Sequence, residues 1–214
     1  MNIAELKACY QAGKSTRSDE LNLRLHRALS WLENAQNTHD DLDMQFISLW
    51  IAFNAIYARR LGEESPDRAI FIEFLTKVCQ YDKDKVLYDL IWHKFSGNIR
   101  TMLDNRYVFA AFWKYQAGMM TERAWQEDFE QSNKKAFNAL AVQDTHGVLM
   151  VVFDRLYVLR NQIVHGGATY GSSINRAQLK DGCRILTDII PVIVQIVLNN
   201  SNKDWGRPFY PVVD

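Results

Sequence analysis

The stretch Leu159-Arg160-Asn161-Gln162-Ile163-Val164-His165-Gly166-Gly167 closes a strongly periodic helix. Apolar residues lead into it at Leu149, Val152, Phe153, Leu156 and Leu159 and continue to Ile163, the spacing of a helix with one face on a core. At about 100° per residue, Arg160 falls inside that apolar stripe. A guanidinium there is costly unless something pairs with it. The adjacent face carries Asp154, Tyr157, Asn161 and His165, spaced so that their side chains line up. Helices often stop at Gly with a basic residue in the last turn. That habit explains His165 and the two glycines, and it leaves Arg160 beside Asn161 unexplained.

Working outward, the rest of the chain reads as helix almost throughout. Residues 2–12 form a short amphipathic piece ending at Gly13. Ser18 caps a helix to Gln36 with Leu21, Leu25, Ala28, Leu29 and Leu32 on one face. Asp40 and Asp41 open a longer one to Arg60, with Phe46, Leu49, Trp50, Phe53 and Tyr57 inward. Ser65-Pro66 restarts the chain, Pro at the first helical position, and the helix runs to about Gln80. Further helices are predicted over about 84–95, 99–116, 121–141, 145–165 and 174–199, with a break near Ser96-Gly97. Sustained alternation and tight hairpin turns are missing. The fold class is all-α, an antiparallel helical bundle.

The 214 residues, 48% of them hydrophobic, suffice for one compact domain. Lys and Arg number 25 and Asp and Glu 25, so no bulk field draws the chain to nucleic acid or anionic lipid. Any contact with a polyanion must come from a local patch. Cys9, Cys79 and Cys183 form no Cys-x-x-Cys pair and read as thiols of a reducing compartment. The N-terminal residues lack a signal-peptide pattern, and the apolar run 185–198 is interrupted by Asp188, Pro191 and Gln195 and too short for a bilayer. The expectation is a cytoplasmic protein without a membrane partner.

Arg160-Asn-x-x-x-His165 resembles the Arg-x-x-x-x-His signature of HEPN domains, many of which are ribonucleases of toxin–antitoxin, abortive-infection and CRISPR systems. Trp50-Ile-Ala-Phe-Asn-Ala-Ile-Tyr57 is similar to the Trp-x-x-Phe-Asn-x-x-Tyr segment that precedes the signature in Apea-like members. Asp204-Trp-Gly-Arg-Pro-Phe-Tyr-Pro211 is similar to their tails. The resemblance covers roughly residues 18 to 200. It implies a single HEPN-like domain over 1–214, with 65–142 as a helical elaboration and 201–214 as an irregular tail. It implies Arg160, Asn161 and His165 as catalytic residues, with Asn54, Asp154 and Tyr157 as candidates for substrate contact, and no metal or cofactor.

The chemistry suits those residue types. RNA carries its own nucleophile in the 2′-hydroxyl, so its cleavage needs proton transfer and positive charge on the phosphorane-like transition state. His transfers protons near neutral pH. Arg binds phosphate oxygens in two places and stays charged. Five residues along a helix rotate about 140°, so Arg160 and His165 diverge. Either the helix end bends or two copies share one cleft, as in HEPN nucleases, which implies a homodimer. The leading reading is a metal-independent endoribonuclease, a toxin or phage-defence effector acting on single-stranded RNA. The alternative is a non-catalytic HEPN module that binds a nucleotide or a protein such as a nucleotidyltransferase antitoxin. The Tyr found two residues after the His in some antitoxin-modified members is replaced here by Gly167. A third reading is a helical scaffold with a capped helix.

Other constellations carry less. Acidic residues around His39 to Asp43 fit a first helical turn better than a metal site. The small-residue loop 166–173 offers free amides to a phosphate but lacks the Lys of a P-loop. The aromatics of the central stretch, among them Phe71, Phe74, Trp92, Phe95, Phe109, Phe112, Trp113, Trp125 and Phe129, are read as core. Lys134-Lys135 and Arg59-Arg60 are read as solvated faces.

Overall fold

Periodicity translates into helices of closely matching extent. The computed structural model describes residues 2–58 and 67–210. Among these lie ten α-helices and no β-strand, so the protein is an all-α helical bundle. The expected start at Ser65-Pro66 and the Arg59-Arg60 pair fall outside the described residues. The chain forms two compact units, one of residues 1–87 with 183–214 and one of residues 88–182. The second contains the signature helix together with much of the stretch 65–142.

The first unit is built on α1 (Ile3–Ala12), α2 (Asp19–Asn37), α3 (Leu42–Tyr57) and α4 (Asp67–Tyr81), with the greater part of α10 (Arg176–Asn199). Each early helix starts on a side-chain cap: Asn2 accepts from the Ala4 amide, Ser18 from Leu21 and Asp41 from Met44. Asp41 thus performs capping chemistry, as its position in the first turn suggested. The hairpin α2–α3 is antiparallel. Asn34 Nδ2 donates to Ser48 Oγ at 2.8 Å, while Arg24 Nη1, lower on α2, donates to the Ile56 carbonyl, higher on α3, at 2.7 Å. Phe46, Trp50, Phe53 and Tyr57 of α3 are buried; Phe53 meets Phe74 of α4, and Tyr57 meets both Phe71 and Phe74.

The tail is irregular in backbone yet anchored. Trp205 is buried with its ring 5.7 Å from both Phe74 and Tyr81, and its Nε1 donates to the Asn200 carbonyl at 2.9 Å. Arg24 Nη2 and Arg27 Nη1 donate to the carbonyls of Arg207 and Tyr210. No helix among the described residues is long and apolar enough to cross a membrane.

The second unit begins within α5 (Val86–Asp89), continues through a π-helical turn (Leu90–Lys94) and takes in α6 (Ser96–Leu103), α7 (Ala110–Gln116), α8 (Glu122–Ala141) and α9 (Thr145–Val164). The helix expected over 99–116 is two helices separated by a 3₁₀ turn at Arg106–Val108. Asn105 causes the break: its side chain accepts from the Tyr107 amide at 2.9 Å, a local turn that competes with the helix. Phe112 and Trp125 are buried with Ala111, and Phe109, Tyr115, Met120 and Phe129 pack around them. Trp113 departs from the core reading, with 41% of its surface exposed.

Candidate functional site

The end of α9 is a complete Schellman cap. Gly166, at φ +71°, donates its amide to the Ile163 carbonyl at 3.2 Å, and Gly167 donates to Gln162 at 2.7 Å. A Cβ on Gly167 would sit 3.0 Å from the Gln162 carbonyl oxygen, a tight contact that the backbone would have to shift to relieve. His165 is the cap residue itself, with its amide on Asn161 at 3.0 Å and its side chain exposed. The ordinary account of this helix end therefore holds for the backbone. It also fixes where the imidazole leaves the helix.

One turn earlier, Arg160 and Asn161 are joined through their side chains. Arg160 Nη1 donates to Asn161 Oδ1 at 2.9 Å. Both residues are half-buried, and Arg160 Nε is buried with no hydrogen-bond partner among the described residues. The expectation that Arg160 sits on the buried side is met only in part, because its stem enters the apolar stripe while its head folds across to Asn161. Asp154 and Tyr157 are half-buried on the line that runs through Asn161 to His165. Arg160 and Asn161 are brought together, whereas His165 makes no side-chain hydrogen bond to either. Asn54 lies on α3 in the first unit, its Oδ1 buried and unpartnered among the described residues.

The fully buried cation of α9 is Arg155, which the motif reading passed over. It is 2% exposed, stacks its guanidinium 4.4 Å from the Phe109 ring and 5.4 Å from Phe129, and donates to Asn133 Oδ1 at 3.0 Å. Burial pushes its pKa down to about 10, opposed by the neighbouring charge of Asp154, and the group stays charged at neutral pH. Its spacing from Val152 and Leu159 placed it on the apolar stripe, so the sequence carried the signal.

Gln162 is the second residue without a sequence-based role. Its Nε2 donates to the Tyr107 carbonyl at 2.6 Å and its Oε1 accepts from Asn175 Nδ2 at 2.8 Å. One side chain thereby ties the last turn of α9 to the 3₁₀ turn and to the approach to α10. The segments joined in this way, 105–121 and 155–180, contain Arg106, Lys114, Arg155, Arg160, Arg176 and Lys180 and no Asp or Glu. Asp104, Glu122, Asp154 and Asp181 stand directly at the ends of these segments, and Arg155 is buried.

The first unit holds a groove of about 850 Å³ lined by residues including Leu32, Gln36, His39, Gln45 and Asp188. Its lining contains neither Lys nor Arg. Among the described residues, no three His, Cys, Asp or Glu side chains cluster as metal ligands. In comparisons with known proteins, no family model, curated protein or solved structure matches this chain.

Proposed function

We propose that the chain is a metal-independent endoribonuclease of HEPN type, a toxin or phage-defence effector that cleaves single-stranded RNA through the 2′-hydroxyl. The observation that carries this reading is the placement of the Arg160 guanidinium on Asn161, one turn before an exposed His165 held by the Schellman cap. On a regular helix Asn161 and His165 are about 40° apart, against about 140° for Arg160 and His165. The folded-back guanidinium is therefore delivered close to the line of the imidazole.

In the proposed reaction the 2′-oxygen attacks the adjacent phosphorus as the bond to the 5′-oxygen breaks, leaving a 2′,3′-cyclic phosphate and a 5′-hydroxyl. His165 moves a proton at one of these oxygens, and Arg160 neutralises the non-bridging oxygens in the transition state. Asp154 and Tyr157 flank the site as contacts for ribose or base. A homodimer would supply the second proton-transfer group, a second His165, across a two-fold axis.

The alternative of a nucleotide-binding module draws on the groove of the first unit, whose volume lies in the range of ligand sites. A lining that lacks Lys and Arg and includes Asp188 suits a polyphosphate poorly. A protein partner such as an antitoxin remains compatible with the ribonuclease reading.

Incubation of the purified protein with mixed single-stranded RNA in excess EDTA tests the proposal. RNA should be cut and DNA of the same sequence left intact, with Arg160→Ala and His165→Ala each slower by roughly 10²- to 10⁴-fold. Abolition by EDTA, or wild-type rates from His165→Ala, would overturn it. Sedimentation should show a dimer at micromolar concentration, and a strict monomer would remove the shared cleft.

A further inference from the structure

Four aromatic side chains of the second unit are exposed, Tyr107, Trp113, Phe137 and Tyr170, and of these Tyr107 and Trp113, with 40% and 41% of their surface in solvent, lie together beside the end of α9. Both are tied to one atom. The Tyr107 carbonyl accepts from Trp113 Nε1 at 2.8 Å and from Gln162 Nε2 at 2.6 Å. Gln162 is the residue whose own carbonyl receives the Gly167 amide and closes the cap at His165. The Trp113 ring and the Tyr107 backbone are consequently tied to the turn that carries the imidazole.

Arg106 completes the group. Its guanidinium lies 5.1 Å from the Tyr107 ring centroid and 5.6 Å from Phe112, and its Nη2 donates to the Tyr107 hydroxyl at 3.1 Å. Arg106 is exposed, and no ion pair joins it to a carboxylate among the described residues, with Asp104 two positions before it in the sequence. An unpaired cation stacked beside exposed rings is an arrangement that fits a flexible polyanion with flat faces.

We propose that Tyr107 and Trp113, with Arg106 beside them, form a stacking platform for unpaired bases of single-stranded RNA. Arg106 contacts the phosphate backbone, and Gln162 holds the platform against the His165 turn. Because stacking accepts any base, the platform positions a strand rather than reading its sequence. The inference rests on the ribonuclease reading for the identity of its ligand, and its test does not depend on cleavage.

The test measures binding of a fluorescent 2′-O-methyl RNA dodecamer, which cannot be cleaved through the 2′-oxygen, by anisotropy at low salt. An abasic ribose-phosphate strand of equal length is the control. Wild type should bind the dodecamer and discriminate against the abasic strand. Tyr107→Leu keeps the carbonyl that anchors Gln162, so it should weaken binding by about 5- to 100-fold while Tyr107→Phe binds like wild type. Trp113→Phe should also retain most of the affinity, and Arg106→Gln should lower the slope of log K against log salt by about 0.7. Circular dichroism checks that each variant is folded.

Equal affinity for abasic and normal strands, or wild-type binding by folded Tyr107→Leu, would overturn the platform. So would absence of RNA binding together with a self-association that Trp113→Leu abolishes, because the patch would then be a protein interface. The two readings fail separately. Cleavage with no dependence on Tyr107 removes the platform alone, and Tyr107-dependent binding without cleavage removes the ribonuclease alone.

Discussion

Arg160 and Asn161, neighbours in sequence, are bonded side chain to side chain, guanidinium Nη1 to amide Oδ1 at 2.9 Å. Adjacent residues on a helix diverge by about 100°, so the contact exists only because the Arg160 side chain folds across the helix surface. The amide oxygen of Asn161 is thereby committed, and its two N–H groups remain to act as donors. In the proposed reaction Asn161 would aim Arg160, a role that can be separated from direct contact with substrate.

Asn161→Ala releases the guanidinium and should reduce RNA cleavage without a change in fold. Asn161→Asp should be worse, because a carboxylate in that place pairs with Arg160 and cancels the charge needed at phosphate. We expect at least a tenfold gap between the two variants in initial rate at equal RNA concentration. Equal rates would show that Arg160 does not act from the position it occupies here.

The Schellman cap offers a different test, since its two glycines are required for different reasons. At Gly166 there is open space around a Cβ, so Gly166→Ala pays only for the left-handed backbone, about 1–2 kcal/mol. Gly166→Asn should recover part of that. Gly167→Ala instead pushes a methyl against the Gln162 carbonyl and disturbs the 2.7 Å bond that closes the helix. Thermal melts should place Gly166→Asn above Gly166→Ala, and cleavage should fall in Gly167→Ala because His165 loses its fixed exit. A Gly167→Ala protein with wild-type melting and rate would contradict this account of the turn.

Much of the fold could be read in advance because long helices advertise a period: α2, α3 and α8 start directly after Ser18, Asp41 and Thr121, and α9 ends two residues before Gly166, whereas α3, expected to reach Arg60, ends at Tyr57. The break at Asn105 rests on a side-chain bond to the Tyr107 amide that the apolar spacing over 99–116 does not reveal. The π-helical turn at Leu90–Lys94 had no signal in the spacing either. Nor did the division into two units, because its second boundary falls inside the unbroken helix α10. At the site, residue spacing identified the line from Asp154 to His165. It could not show that a flexible Arg160 side chain bends to that line, nor that Gln162 joins three segments separated in sequence.

Arg155 gives a stability prediction whose sign depends on what replaces it. Its folded pKa, lowered by burial to about 10, means that burial of the charge costs on the order of 3 kcal/mol. The folded state releases this proton more readily than the unfolded one. The penalty is therefore full below about pH 10 and is relieved as pH rises through that value. Removing the charge relieves the same penalty in Arg155→Met and Arg155→Ala. The difference between these variants then reports the packing against Phe109 and Phe129, about 2–3 kcal/mol in favour of Met. Denaturant melts at pH 7 measure it, and indistinguishable midpoints would mean that the guanidinium stem contributes no packing.

The tail provides the last prediction. Trp205 fills a site made by Phe74 and Tyr81, and the chain that follows accepts hydrogen bonds from Arg24 and Arg27 through the carbonyls of Arg207 and Tyr210. Arg24 is 1% exposed, so its bond to Arg207 lies at the edge of the core rather than in solvent. Trp205→Ala removes the ring and leaves a cavity, which should cost about 3–5 kcal/mol. Truncation after Asp204 loses that ring together with the carbonyl that meets Arg24, and should cost more. Trp205→Phe keeps most of the volume but lacks the donor to Asn200, and should fall between wild type and Trp205→Ala. Urea unfolding of the full-length variants orders them directly. A truncated chain as stable as wild type would mean that these contacts contribute nothing to the fold, and that the sequence after α10 serves something other than the core.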